Sequence, residues 1–157
     1  VFTRVAQFLD TWRYESAQTA LVLAQLTDES LRCRVAPGYR TIGDIAWHIA
    51  TALHEIVGKT GLSFRAPTKT QAPPTTAAAI REAYVAAAES LAAALAQDWD
   101  DRSLTELDQI YGQSWAKGHT LMVLLHHEIH HRGQLTVLLR QTGLPVPGVY
   151  GPTRDDK

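Results

Sequence analysis

Apolar residues recur at three- and four-residue spacing in four separate stretches, and each stretch predicts an amphipathic helix. Phe2, Val5, Leu9, Trp12, Ser16, Leu23 and Leu26 set the period of a first helix over residues 2–27, with Arg4, Asp10, Arg13 and Glu15 mostly on other faces. Trp12 reads as a core anchor of that stripe. Thr27-Asp28-Glu29-Ser30 offers capping side chains for a brief turn, and Ala36-Pro37-Gly38-Tyr39 breaks the helical pattern. Thr41 is the predicted N-cap of a second helix, with Asp44 in its first turn. Ile42, Ile45, Ile49, Ala52 and Ile56 form its buried stripe, and Gly58 and Gly61 mark its end.

From Gly61 to Thr75 the chain is polar and carries Pro67, Pro73 and Pro74, a connection long enough to be functional or to cross the end of a bundle. Thr75 or Thr76 caps a third helix that runs to about Asp98. It is rich in alanine, the strongest helix former, and Ile80, Tyr84, Leu91 and Leu95 give it a core stripe. Residues 99–118 lose the helical period. Ser103 to Leu107 and Asp108 to Tyr111 alternate, Gly112 suits a turn, and Gln113-Ser114-Trp115 suits a returning strand, which predicts a short hairpin or an irregular loop. Trp99, Tyr111 and Trp115 either wall a pocket at the bundle end or simply pack there. The last helix is predicted from about His119 to Thr142, closed by Gly143 and Pro145, with a Pro/Gly-rich tail lying over the surface to Lys157. No repeat or low-complexity linker divides residues 1–157, so one all-α domain is expected.

The last helix also carries the chemistry. Four of the seven histidines fall between His126 and His131. At roughly 100° per residue, Leu121, Leu124, Glu128, His131, Leu135, Leu138 and Leu139 share one face, and His127 flanks it one turn before His131. His126 points the opposite way with Met122 and Arg140, and His130 lies to the side. Side chains at i and i+4 have Cβ atoms about 5–6 Å apart, so two imidazoles there can converge on one metal at about 2.0–2.1 Å each. On the second helix His48 flanks the stripe near Asp44, Ala52 and Glu55, whereas His54 faces solvent. His48, His127 and His131 are therefore the candidate metal ligands, against the plainer reading of buried imidazoles hydrogen-bonded to their surroundings.

His127-Glu128-Ile129-His130-His131 also spells H-E-x-x-H, which in zinc metalloproteases supplies two ligands and a general-base glutamate. Such proteases usually take a third ligand from downstream. Beyond His131 there is no further His or Glu, only Asp155 and Asp156, and Gly133 comes too early for the extended motif. A third protein ligand is expected upstream instead. Glu128 remains a candidate general base or, equally, a carboxylate that orients a ligand.

Composition narrows the classes. Fifteen basic and sixteen acidic residues leave no basic footprint for nucleic acid. No stretch is apolar enough to span a membrane, and the N-terminal residues lack the apolar core of a signal peptide. The single Cys33 excludes an internal disulfide and suits a reducing cytoplasm; it reads as incidental rather than nucleophilic.

Gly43-Asp44-Ile45-Ala46-Trp47-His48-Ile49 on the second helix, with His127-xxx-His131-Arg132-Gly133-Gln134-Leu135 and Leu138-Leu139-Arg140-Gln141-Thr142-Gly143-Leu144-Pro145 on and after the last, resembles the DinB-like (YfiT-like) superfamily. This is a bacterial family of proposed metalloenzymes, unrelated to the DNA polymerase that shares the DinB name. The resemblance implies an up-down-down-up four-helix bundle, often a homodimer, with a three-histidine divalent metal site that maps onto His48, His127 and His131. It implies zinc or nickel, whereas imidazole chemistry alone suits zinc, nickel, copper or iron. Arg132 and Gln134 belong to the motif but point away from the metal face, so both are expected to support neighbouring helices or a second subunit.

Three histidines leave a coordination position open, the arrangement of a catalytic zinc rather than a closed structural one. Some members of the family resemble transferases or isomerases that use low-molecular-weight bacterial thiols. The leading expectation is a metal-dependent enzyme acting on a small molecule, with a thiol co-substrate and S-transfer chemistry. A metal-dependent hydrolase is the alternative, and a non-catalytic, stress-related metal-binding or dimerisation module competes with both.

Overall fold

The computed structural model describes residues 1–155, and four long helices dominate it: α1 (Val5–Leu23), α2 (Ile42–Val57), α3 (Ala77–Asp98) and α4 (Lys117–Gln141). Asp156 and Lys157 lie outside the described residues, and with them the last two positions of the expected tail.

Polar contacts fix the helix directions. The Phe2 amide donates to the Gly118 carbonyl at 3.3 Å near the start of α1 and α4, and Glu15 meets Arg132 further along both, so these two helices run parallel. Along α3 the order reverses: the Val5 amide meets Asp101, Trp12 donates its indole N–H to the Ala88 carbonyl at 3.1 Å, and the Ala77 amide reaches Asp28. Antiparallel α2 brings His48 against His127 and His131 and Ile45 beside Leu138. The bundle is up-down-down-up, with α1 and α2 diagonal across a core to which every helix contributes leucine, isoleucine or aromatic side chains.

Local chemistry sets the ends as the residues lead one to expect. Thr41 and Asp44 form a reciprocal capping box at the start of α2, each side chain accepting from the other's backbone N–H. Thr76 caps α3 by accepting from the Ala79 amide. After α4 the Leu144 amide donates to Leu139 and the Gly143 amide to Arg140, a Schellman closure that Gly143 permits with φ +75°. The segment between α2 and α3 does not stop at one bundle end but runs back along the bundle's length, as two helices pointing the same way require: Leu62 is buried, the Arg65 amide donates to the Ser90 hydroxyl at 2.9 Å, and the Gln71 carbonyl accepts from the Trp47 indole N–H. β1 (Leu107–Ile110) and β2 (Gln113–Ala116) form the expected hairpin, with Leu107 opposite Ala116. Its two turn residues, Tyr111 and Gly112, both have positive φ, the signature of a two-residue hairpin turn. Trp99, Tyr111 and Trp115 pack around this hairpin: Lys117 sits over Trp99, Lys59 over Tyr111, and Tyr111 lies edge-on to Trp115.

The first helix departs from expectation. It spans Val5–Leu23 instead of residues 2–27, because Phe2 is held in an extended arm against Gly118. Its buried face is Val5, Phe8, Trp12, Glu15, Thr19, Val22 and Leu23, while Leu9 and Ser16 are only half-buried. The stripe is rotated because a charged side chain, Glu15, lies inside it.

Candidate metal centre

The face of α4 that meets α2 and the face that meets α1 and α3 carry different chemistry. Toward α2 it projects His127 and His131, one turn apart, and α2 answers with His48. The three residues each offer a ring nitrogen within 4.8 Å of the others, and the ring centroids are 4.4–4.9 Å apart. His48 Nε2 lies 3.1 Å from His127 Nε2. Two nitrogens bound to one tetrahedral cation at about 2.0–2.1 Å lie roughly 3.3 Å apart, so this pair already stands at a ligand spacing. His127 Nδ1 is buried without a hydrogen-bond partner.

His131 is oriented by Gln134, whose side-chain oxygen lies 2.7 Å from His131 Nδ1. An amide oxygen only accepts, so Nδ1 carries the proton and the Nε2 lone pair is left for a ligand. This corrects the reading of Gln134 as turned away from the site. A helical wheel gives the direction of Cβ, but i and i+3 are neighbours, and the amide reaches back to the imidazole. Burial lowers the pKa of all three histidines. His127 is held down to about 4, first by burial and then by the adjacent His131 and His48. The cluster is thus neutral at pH 7, with no carboxylate in it. Three neutral imidazoles fit a divalent cation of the zinc, nickel, copper or iron type. His54, His126 and His130 are exposed and outside the group.

Toward α1 and α3, α4 presents Glu128 and Arg132. Glu128 is 1% exposed; its Oε1 accepts from the Thr19 hydroxyl at 2.7 Å and the Tyr84 phenol at 2.6 Å, and its Oε2 has no partner. Burial pushes its carboxyl up to about 7 despite those donors and nearby Arg132. Tyr84 is raised in turn, by burial and then by the Glu128 charge. Among the described residues no hydrogen bond joins Glu128 to the three imidazoles. Arg132, 2% exposed, donates to the Glu15 carboxylate at 2.6 Å, the Glu15 carbonyl at 2.9 Å, the Thr19 hydroxyl at 3.2 Å and the Tyr150 hydroxyl at 2.6 Å. Arg132 thus supports the neighbouring helix, and the Tyr150 contact straps the tail across it. Glu15, Thr19 and Tyr150 are the members of this network that the sequence reading did not single out.

A cavity of about 590 Å³ opens beside His131, bounded by the loop before α2 and the second half of α4. The cluster is therefore reachable, and His48 and His127 are only half-buried.

Residues 2–157 match the family model described as the DinB family. The chain is 40% identical over 156 residues to the uncharacterized protein YrdA of Bacillus subtilis (strain 168), covering 99% of this chain and 93% of the relative. It superposes with a TM-score of 0.92 on a DinB-like protein from Bacillus cereus ATCC 10987, at 43% identity over 96% of this chain and 100% of that one. A DinB-like protein, YjoA of Bacillus subtilis, shares the fold at a TM-score of 0.70 with 22% identity, over 88% of this chain and 95% of the other.

Proposed function

The chain belongs to the DinB family, and from that membership we propose a metal-dependent enzyme whose divalent cation is held by His48, His127 and His131. The carrying observation is the convergence of three neutral imidazoles from two helices, their ring nitrogens within 4.8 Å of one another. Zinc or nickel is the proposed cation. It would supply Lewis acidity, lowering the pKa of a coordinated water or thiol.

The protein's own residues set the conditions for that chemistry. Gln134 fixes the His131 tautomer, and the Arg132–Glu15 pair fixes the height of α4 against α1. Low histidine pKa values keep lone pairs free of protons at neutral pH. Glu128 is proposed as a positioning carboxylate, since its partners lie on α1 and α3. The open cavity beside His131 favours catalysis over a purely structural metal. A low-molecular-weight thiol is the proposed co-substrate, in an S-transfer reaction; hydrolysis of a small molecule is the second reading, supported by the same open site.

Metal content of untagged protein, measured by mass spectrometry for wild type beside His48→Ala and His131→Ala, tests the centre. One equivalent in wild type, lost in both variants, is the expected result. Wild type that stays empty after incubation with excess zinc and nickel would sink the proposal. Spectral change of the cobalt-substituted protein on adding thiols then separates an open reactive site from a structural one, which should not respond.

A further inference from the structure

The cavity beside His131 has a distinctive wall. Val35 and Tyr39 from the loop before α2, and Val137 from α4, are 57%, 66% and 55% exposed and rim its opening, while Ile45 and Leu138 line it further. Large apolar side chains clustered this way at a concave site mark a surface that an apolar ligand body covers. Two amide side chains, Gln134 and Gln141, add hydrogen-bonding capacity.

Among the described residues, the only formal charge in the lining is Arg40, and no aspartate or glutamate borders the cavity. Arg40 makes no ion pair or hydrogen bond among the described residues; Asp44, in the capping box, feels its charge but does not line the cavity, so the guanidinium N–H donors are available to a ligand. Its backbone, by contrast, is well held. The loop is pinned at its neck by the Arg34–Thr41 bridge, by the Ile42 amide donating to the Cys33 carbonyl at 2.8 Å, and by the capping box that begins at Thr41. Arg40 and His131 line the same cavity, which sets the guanidinium on the side of the imidazole cluster. A cavity with apolar walls, one free guanidinium and no acid repels cations and accepts an anion. A single guanidinium pairs with a carboxylate through two parallel N–H···O bonds.

We propose that this cavity is the substrate pocket, and that it takes a small molecule with a carboxylate on an apolar body, the carboxylate paired with Arg40. The apolar body lies against Val35, Tyr39 and Val137, so the end beside His131 faces the imidazole cluster. What the molecule is positioned against rests on the metal-centre reading; the binding itself does not.

Calorimetric titration of the full-length protein with octanoate, and with its neutral isostere octanamide, tests this on metal-depleted and metal-loaded samples of wild type, Arg40→Gln and Arg40→Lys. Metal-depleted wild type should bind octanoate at least about tenfold more tightly than octanamide, and Arg40→Gln should lose about ten- to hundredfold for octanoate with octanamide unchanged. Arg40→Lys should recover part of that loss, because it restores the charge without the two-pronged geometry. Equal binding of acid and amide, or octanoate affinity indifferent to Arg40→Gln, would overturn the assignment. So would octanoate binding that appears only in metal-loaded protein and survives Arg40→Gln, since the cation alone would then hold it. Wild type that takes up no metal but retains Arg40-dependent octanoate binding would overturn the metal centre and leave the pocket standing.

Discussion

The Arg132–Glu15 pair is the sharpest energetic commitment in the fold. Replacing Arg132 by methionine keeps an unbranched stem out to the ε position and removes four hydrogen bonds: to the Glu15 carboxylate and carbonyl, to Thr19 and to Tyr150. It also leaves the Glu15 carboxylate, in a residue only 7% exposed, with the Tyr150 hydroxyl as its one remaining side-chain donor among the described residues. Stranding a buried charge in this way costs about 3–5 kcal/mol. The whole domain is stabilised by only about 5–15 kcal/mol. With a urea slope of roughly 2 kcal/mol per molar for a domain of this size, the unfolding midpoint of Arg132→Met should fall by about 2 M. Glu15→Leu should cost a similar amount, because it strands the guanidinium.

The double variant decides the cause. With both charges gone the site is apolar, and such replacements are commonly neutral or stabilising. Tyr150 loses both partners, but it is 63% exposed and water can replace them. The double variant should therefore unfold within about 2 kcal/mol of wild type, far less than the sum of the single costs. Equilibrium urea unfolding at constant slope, followed by circular dichroism, reads all four corners of the cycle. If the single costs simply add, the two groups do not interact in solution. If either single variant loses less than about 1 kcal/mol, the carboxylate is solvated and the burial argument is wrong.

Three further outcomes follow from the same geometry. Gln134→Leu removes the acceptor that fixes His131, so metal affinity measured by chelator competition should drop about 10- to 100-fold with little change in stability; unchanged affinity would mean that another group orients the ring. Glu128 is neutral up to about pH 7 in the fold against 4.5 for the free side chain. The folded state therefore binds the extra proton between those values, and stability falls as pH rises through that window, by ~3 kcal/mol in all. Metal-free Glu128→Gln should then match wild type near pH 4.5 and be clearly more stable at pH 8, whereas a constant difference across the range would show that the carboxyl is not raised. At Gly118 an added Cβ would stand 2.2 Å from the Phe2 carbonyl oxygen and 3.3 Å from that of Leu104. Gly118→Ala should lift the N-terminal arm off α4 and cost about 1–3 kcal/mol, seen as a lower thermal midpoint; an unshifted midpoint would show that the arm contributes nothing.

Why some of this was legible in the sequence and some was not comes down to the range of the signal. The α2 stripe Ile42, Ile45, Ile49, Ala52 and Ile56 is buried as its period implies, and so are Ile80, Tyr84, Leu91 and Leu95 on α3. Each is a local pattern that one helix satisfies by itself. His127 and His131 belong to the same class, because four residues on a helix fix their mutual position before any tertiary contact forms. His48 was legible for the same reason, once its flank relation to a buried stripe was seen. Glu15 was not. Charged side chains are expected outside, and the one fact that reverses the expectation is an arginine 117 positions away. The trace it left was local all the same: Val5, Phe8, Trp12, Thr19 and Val22 keep the helical period only if position 15 is also buried. Gln134 was misread because a wheel shows where a side chain starts and not where a long one ends. Arg40 and its cavity left no trace, since a loop has no period to read.

His131 and Arg132 are consecutive, so one helix rotation places both. The imidazole is aimed at α2 only while the guanidinium is seated on α1, and any turn of α4 that improves one contact spoils the other. The bundle has few other polar anchors between α1 and α4: the Phe2 arm at one end and Thr19 with Glu128 near the middle. Stability and metal affinity should therefore be coupled through α4, although among the described residues Arg132 makes no hydrogen bond to the imidazoles. Chelator competition on the four proteins of the Glu15/Arg132 cycle measures this coupling directly. If α4 is set by that pair, Arg132→Met should weaken metal binding along with the fold, and the double variant should recover stability more completely than affinity, because apolar packing restores burial without restoring the angular register. Affinity that stays at the wild-type level in every corner would mean that the α2–α4 contact positions the histidines unaided, and that the buried pair serves the fold alone.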